Sequence, residues 1–247
     1  MEAFKLSVPL LKRRLMERGG AGQEERFRAV QLLRAARRFF PLTELSRVLG
    51  MPAPMLSRYV NGSTLPSEGN ARAIIEGLLS RDVLTAMVAK AVRVYGGFYD
   101  ITGVTLDPHA LTLVSEYAVK RFGGAFDRIL TPEAGGISLA TAIGMASGKP
   151  IVVARKQRPP NEGPVVEAVS LSGPATYTVF YVAKRELPRD SRVLLVDDFS
   201  IHGHTMRALV ELVRKAGSRV AGELVVVGVG DDWRVSDNAE ALLEIRG

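Results

Sequence analysis

The chain is 247 residues long, contains no cysteine and carries a formal charge of +7. That length suits one large α/β domain with a small appendage, and the missing thiols exclude disulfides, cysteine nucleophiles and cysteine-ligated metals. With no apolar run of membrane-spanning length and no signal-like apolar start, the sequence reads as cytoplasmic, without a membrane partner.

The charge is unevenly spread. Residues 1–80 hold 13 Lys/Arg against 7 Asp/Glu, whereas residues 81–247 hold 20 against 19. Such asymmetry suggests a module for a polyanion joined to a nearly neutral one.

Residues 3–18 carry the pattern of a basic amphipathic helix interrupted near Pro9, and Gly19, Gly20 and Gly22 predict a flexible break after it. Its role stays open among packing, dimer formation and a solvated arm. Residues 23–40 predict a helix with Phe27, Val30, Leu33 and Ala36 on one side, ended by Pro41. Thr43 is placed to cap a second helix over 44–49, with Gly50 as the turn. A third helix follows over 51–61, with Pro52 and Pro54 in its first turn, where missing N–H groups cost little.

The stretch from Leu42 to Met51, with Tyr59-Val-Asn-Gly and Pro66-Ser67 behind it, resembles the helix-turn-helix of the lambda-repressor-like family. The resemblance covers roughly residues 24–79. It implies that Ala53, Pro54, Ser57 and Arg58 face a DNA major groove, that Thr43 and Asn61 lie near phosphates, and that Leu45, Val48, Leu56 and Tyr59 are core. Ala53 and Pro54 offer bases no hydrogen bonds, so readout would fall to Ser57 and Arg58. A three-helix packing module without DNA would carry the same pattern.

Residues 80–95 predict a connecting helix whose apolar stripe serves either a core or a dimer interface, and Gly96-Gly97 marks a boundary. Beyond it the order becomes βα-like: a helix over 108–122, a strand over 126–131, then Pro132-Glu133-Ala134-Gly135-Gly136-Ile137 opening a helix to Ser147, and a strand over 150–154. The glycines of that loop let the backbone face an anion, and Glu133 is suited to orienting a metal-bound water or an amide. A plain strand-to-helix turn would read the same. Alternating segments near 165–171 and 176–182 predict a β-hairpin hung on a mobile loop that begins with Arg155 and Lys156.

Residues 193–196 form a continuously apolar run, as in a parallel strand buried on both faces, and Asp197 and Asp198 follow at its carboxyl end. Ligand chemistry in open α/β sheets sits at that end. From Thr205 the spacing turns helical, with Met206, Leu209, Val210 and Val213 on one side and Gly217 as the stop. The loop 199–204 therefore feeds a helix N-terminus whose amides, freed by Gly203 and helped by Thr205, suit a phosphate. Paired carboxylates accept hydrogen bonds from two adjacent sugar hydroxyls, so the ligand implied is a phosphorylated ribose. A strand over 223–229 precedes Trp233, which reads either as a base-stacking residue or as a surface anchor.

Apolar strand, acid pair and small-residue loop ending in Gly-x-Thr resemble the phosphoribosyl pyrophosphate (PRPP) motif of type I phosphoribosyltransferases. The resemblance puts ribose hydroxyls on Asp197 and Asp198 and the 5′-phosphate on Phe199, Ser200, Ile201, His202, Gly203, His204 and Thr205. It puts pyrophosphate against Glu133, Ala134, Gly135, Gly136, Arg155 and Lys156, with Mg2+ carried in by the ligand and no metal held by the protein alone. A solvated basic turn remains the other reading of Arg155 and Lys156. Ile201 and His202 stand where the enzymes usually carry Thr or another small residue, and Phe199 looks more like the purine-operon repressors that keep this fold as a sensor.

Together these features imply an α/β chain of the type I phosphoribosyltransferase fold, a parallel sheet flanked by helices with a flexible hairpin, plus a small all-α helix-turn-helix domain. The expected division is 1–79 for the DNA-binding domain, 80–96 for the connecting helix and 97–247 for the PRPP-binding domain. The expected function is a homodimeric transcription regulator of purine metabolism that binds a double-stranded DNA operator, takes PRPP as effector and has room for a purine base or nucleotide. The alternative is an active purine phosphoribosyltransferase with an accessory helical domain.

Overall fold

The computed structural model describes residues 21–96, 98–158, 160, 163–173 and 176–245. The helix expected over 3–18, with Gly19 and Gly20, lies outside these residues, as do Gly97, Pro159, Asn161, Glu162 and Pro174. The chain divides into two compact units, Met1–Ser80 and Arg81–Gly247. Among the described residues no helix is long and apolar enough to cross a membrane.

The first unit contains α1 (Ala21–Ala36), α2 (Leu42–Leu49), α3 (Ala53–Val60) and α4 (Glu68–Leu78). Val30, Leu33 and Ala36 of α1 are buried, as are Leu45, Leu56 and Tyr59. Three expectations are corrected here. Gly22 lies inside α1 rather than in a break. Val48 is 47% exposed, because the eight-residue α2 is anchored to the core through Leu45 and turns Val48 outward, and Phe27 of α1 is 45% exposed beside the buried Val30 and Leu33. Thr43 caps nothing: the carbonyl of Pro41 accepts from the amides of Glu44 and Leu45, so α2 begins one residue before Thr43. Gly50, at φ 62°, closes α2 in the left-handed region that its lack of a Cβ makes accessible.

The second unit opens with α5 (Arg81–Ala91), which is shorter than the expected connecting helix. Residues 93–95 instead form β1 (Arg93–Tyr95), antiparallel to β2 (Phe98–Asp100). Val94, Tyr95, Phe98 and Tyr99 have aromatic or β-branched side chains that suit a strand, and Gly96, at φ 54°, follows β1 in the left-handed region. After the short α6 (Thr102–Thr105) comes α7 (Pro108–Phe122), capped by Asp107, whose Oδ1 accepts from the amides of His109 and Ala110.

The remaining elements are β3 (Arg128–Pro132), α8 (Ile137–Ser147), β4 (Ile151–Ala154), β5 (Val165–Gly173), β6 (Thr176–Ala183), β7 (Arg192–Ser200), α9 (His204–Lys215), β8 (Arg219–Val229) and β9 (Ala239–Ile245). Five of the strands form a parallel sheet in the order β4-β3-β7-β8-β9, while β5 and β6 form a separate antiparallel hairpin. Leu130, Val193, Leu195, Val225 and Ala241 pack on one face of the sheet with Met206, Leu209, Leu212 and Val213 of α9. The alternate residues Ile129, Leu194, Val196, Leu224 and Val226 are equally buried, so both faces are covered. The local pattern predicts no strand at β9 and leaves Trp233 either stacked on a base or anchored at the surface. Trp233 is in fact 1% exposed and belongs to the core cluster, which explains a lone large aromatic within a strand-to-strand loop.

Candidate functional site

The site opens where two strands part. β3 pairs with β4 as far as Pro132↔Ala154, but with β7 only as far as Leu130↔Leu195. β7 runs on beside β8 through Asp197↔Val225 to Ser200↔Gly228. Beyond Leu195 the flank of β7 toward β3 is therefore free, and the 133–136 loop takes the place of a neighbouring strand. The expected loop 199–204 is shorter than foreseen, since pairing with β8 holds Phe199 and Ser200 in the strand.

Asp197 and Asp198 stand at this divergence. Asp197 is 5% exposed, and its Oδ1 accepts from the Asp198 amide at 2.8 Å. Burial first, and the neighbouring Asp198 charge second, hold its carboxyl well above the ordinary carboxylate range. A buried acid beside a second acid favours a ligand that brings hydroxyl donors or positive charge. Gly135 and Gly136 press against the pair from the β3 side. A Cβ at Gly135 would overlap the Asp198 carboxyl, and one at Gly136 would overlap Thr131 Oγ1 and lie 3.2 Å from the Asp197 Cα. Glu133 Oε2 accepts from the Lys156 amide at 2.9 Å, tying this loop to the end of β4.

Past the acids the chain enters α9 through Gly203, at φ 65°. A side chain there would also strike the neighbouring loop, with Asp232 O and Val235 Cγ2 2.9 Å from an ideal Cβ. Arg207, one turn into α9, donates to the His202 carbonyl and so braces the loop from its far side. The rings of His202 and His204 meet edge-on, 5.7 Å apart. Ile201 and His202 are both exposed.

These pieces line one cavity of about 540 Å3. It brings together Glu133, Ala134, Gly135 and Lys156 with every residue from Asp197 to Thr205; Gly136 and Arg155 are not among its lining residues. Gly136 backs onto β7 instead, and Arg155 pairs its backbone with Tyr181. Pro132, Ser170, Thr178 and Phe180 also line the cavity and were missed from sequence. The signal for three of them was present. Along β5 and β6 the buried face reads Val166, Ala168, Ser170 opposite Val182, Phe180, Thr178, so a Ser–Thr pair in register ends an otherwise apolar face. Tyr99 of β2 lies against Phe199, ring centroids 5.7 Å apart. Thr43, Pro54, Arg58 and Asn61 are exposed on the first unit, with Ala53 and Ser57 half-buried.

A parallel five-stranded sheet flanked by helices, with this crevice at its carboxyl edge, defines the type I phosphoribosyltransferase fold. Adenine phosphoribosyltransferase from Rhodothermus marinus superposes with a TM-score of 0.59 at 21% identity over 66% of this chain and 99% of that one. The Saccharomyces cerevisiae enzyme gives 0.58 at 19%, also over 66% and 99%. Residues 107–244, more than half the chain, match the phosphoribosyl transferase domain, and the chain belongs to that family.

Among its relatives, the xanthine phosphoribosyltransferase of Heliobacterium modesticaldum is 35% identical over 124 residues, 49% of this chain and 66% of that protein. The hypoxanthine/guanine phosphoribosyltransferase of Methanohalophilus mahii is 33% identical over 51% of this chain and 64% of its own length. The match therefore spans just under two thirds of either relative. A Deinococcus deserti xanthine phosphoribosyltransferase, 33% identical, is covered over 79% of its length. These findings overturn the expectation of a DNA-binding transcription regulator with PRPP as effector. The relatives carry the names of purine phosphoribosyltransferases, and the transferase alternative is the better supported.

Proposed function

We propose that the chain is a purine phosphoribosyltransferase, moving the phosphoribosyl group of PRPP onto a purine base with release of pyrophosphate. The observation that carries this is the convergence of the acid pair, the 200–205 loop, the 133–135 loop and Lys156 on one cavity, in a chain whose relatives bear that activity in their names.

In this reading Asp197 and Asp198 accept the two ribose hydroxyls, and the amides at the start of α9, with Thr205, hold the 5′-phosphate. Glu133 keeps its loop facing the pyrophosphate, with Lys156 beside it. The reaction breaks the C1–oxygen bond to pyrophosphate and forms a C1–nitrogen bond to the base, through a ribose centre that becomes cationic. The two carboxylates below that centre favour its developing charge.

Magnesium belongs to the substrate. The ion would be carried in mainly by the pyrophosphate of PRPP. When bound, it neutralises the leaving group.

Incubation with PRPP, Mg2+ and each of xanthine, hypoxanthine, guanine and adenine, followed by pyrophosphate release, tests the reading. Turnover with at least one base at roughly 1 per second or faster is expected. Release with none of the four would overturn it.

A further inference from the structure

Glu223 has no place in the chemistry above, yet it is a fully buried acid one layer behind the phosphate loop. It sits on β8 with 0% exposure. Its Oε2 accepts three hydrogen bonds from the segment before β9: the amides of Val235 and Ser236, both at 3.2 Å, and the Ser236 hydroxyl at 3.3 Å. Oε1 is buried without a partner among the described residues. A carboxyl in such surroundings carries a large desolvation cost, and burial does raise its pKa despite the three donors and the nearby Arg207 charge.

What the carboxyl holds explains why it is there. The segment it anchors is the one that abuts Gly203: Asp232 O and Val235 Cγ2 would each lie 2.9 Å, and Trp233 O 3.1 Å, from a Cβ at that glycine. Gly203 sets the left-handed turn from which α9 starts. The chain of contact runs from the Glu223 carboxyl to the 235–236 amides, through the 232–235 backbone, to the hinge of the loop whose amides line the cavity. Trp233, buried at 1%, pins the middle of the segment but offers nothing to its backbone amides at the far end.

We infer that Glu223 is a positioning residue for the 5′-phosphate loop: by accepting the amides of Val235 and Ser236 it fixes the wall against which Gly203 sets the start of α9. This rests on the transferase reading for its kinetic test, but not for its binding test.

Two substitutions separate acceptor from charge. In Glu223→Gln the side-chain carbonyl still reaches the two amides and the hydroxyl, while its NH2 takes the partnerless Oε1 position. In Glu223→Asp the charge is kept and one methylene of reach is lost. KM for PRPP is expected to stay within about twofold of wild type in Glu223→Gln and to rise about tenfold or more in Glu223→Asp, the scale of a lost hydrogen bond to a charged acceptor. KM for the purine base and kcat should move little in either. Thermal midpoints do not substitute for this readout, because removing a buried charge changes stability whether or not the phosphate loop moves. Ribose 5-phosphate binding by calorimetry should show the same contrast.

Equal PRPP KM and equal ribose 5-phosphate affinity in two folded variants would overturn the inference, as would the reverse order, which would make the charge the acting feature. A wild-type protein that binds ribose 5-phosphate but transfers to no base would sink the transferase reading and leave the binding contrast to decide Glu223.

Discussion

Gly135 touches Asp198 so closely that the chain leaves no room for a methyl group between them: an added Cβ would coincide with the carboxyl group. The loop from β3 and the acid pair of β7 are thereby fixed relative to each other by the absence of a side chain. Gly135→Ala should push the Asp198 carboxyl aside without unfolding the protein, because the obstacle is a side chain that can rotate. KM for PRPP is expected to rise about tenfold or more, with a change in stability under roughly 1 kcal/mol. Gly136→Ala meets the buried Thr131 Oγ1 with β7 backbone behind it, at 3.2 Å from both the Asp197 Cα and Val196 O, and should destabilise by about 1–3 kcal/mol in denaturant titrations.

Asp197 ties function to stability through pH. Its carboxyl titrates well above the usual range because of burial and the Asp198 charge. The native state thus holds its proton to higher pH than the unfolded chain, and stability falls as pH rises from about 4 through the raised value. Asp197→Asn removes that loss and can keep the bond from the Asp198 amide. The ligand-free variant should melt above wild type at pH 8, and the gap should shrink toward pH 4. It should also weaken PRPP binding at least tenfold, since a hydroxyl acceptor loses its charge. A variant melting below wild type at pH 8 would contradict the account.

Trp233 is a test of the core, independent of ligand. Trp233→Ala removes one of the largest fully buried side chains and should cost about 3–5 kcal/mol, read as a shifted urea midpoint. A surface anchor would lose well under 1 kcal/mol.

Lys156 distinguishes the two ends of the ligand. Its ammonium-bearing side chain lines the cavity, and its backbone amide is held by Glu133 of the 133–135 loop. Lys156→Ala should raise KM for PRPP about tenfold while leaving ribose 5-phosphate affinity, measured by calorimetry, within about twofold. Equal losses for both ligands would place the lysine elsewhere on the substrate.

Ile201 and His202 invited the expectation of a cradle without turnover. Both side chains are exposed, and the loop is braced through the His202 carbonyl rather than through its ring. Replacing both with Thr should therefore change kcat and PRPP KM by less than about threefold, because buried backbone amides carry more of phosphate binding than rim hydroxyls do. A gain of tenfold or more in turnover would show that the two residues hold the native site back.

Local pattern determined much of this protein. The apolar run at 193–196 with two acids behind it, the helical spacing from Thr205, the glycines of the 133–136 loop and the alternation of the hairpin were each legible because strand and helix periods are written within a few neighbouring residues. The same locality explains the errors. A helix-turn-helix pattern near Gly50 suggested a regulator, but a fold-sized pattern does not carry a function. Only the tertiary structure decided that β3 and β7 part at Leu195 to open the crevice, that Ser170, Thr178 and Phe180 of the hairpin reach it, that Trp233 is core, and that Glu223 backs Gly203 through residues more than ten positions away. Those relations depend on which strands become neighbours and where their pairing stops, and that is set by packing across the whole sheet rather than by any one segment.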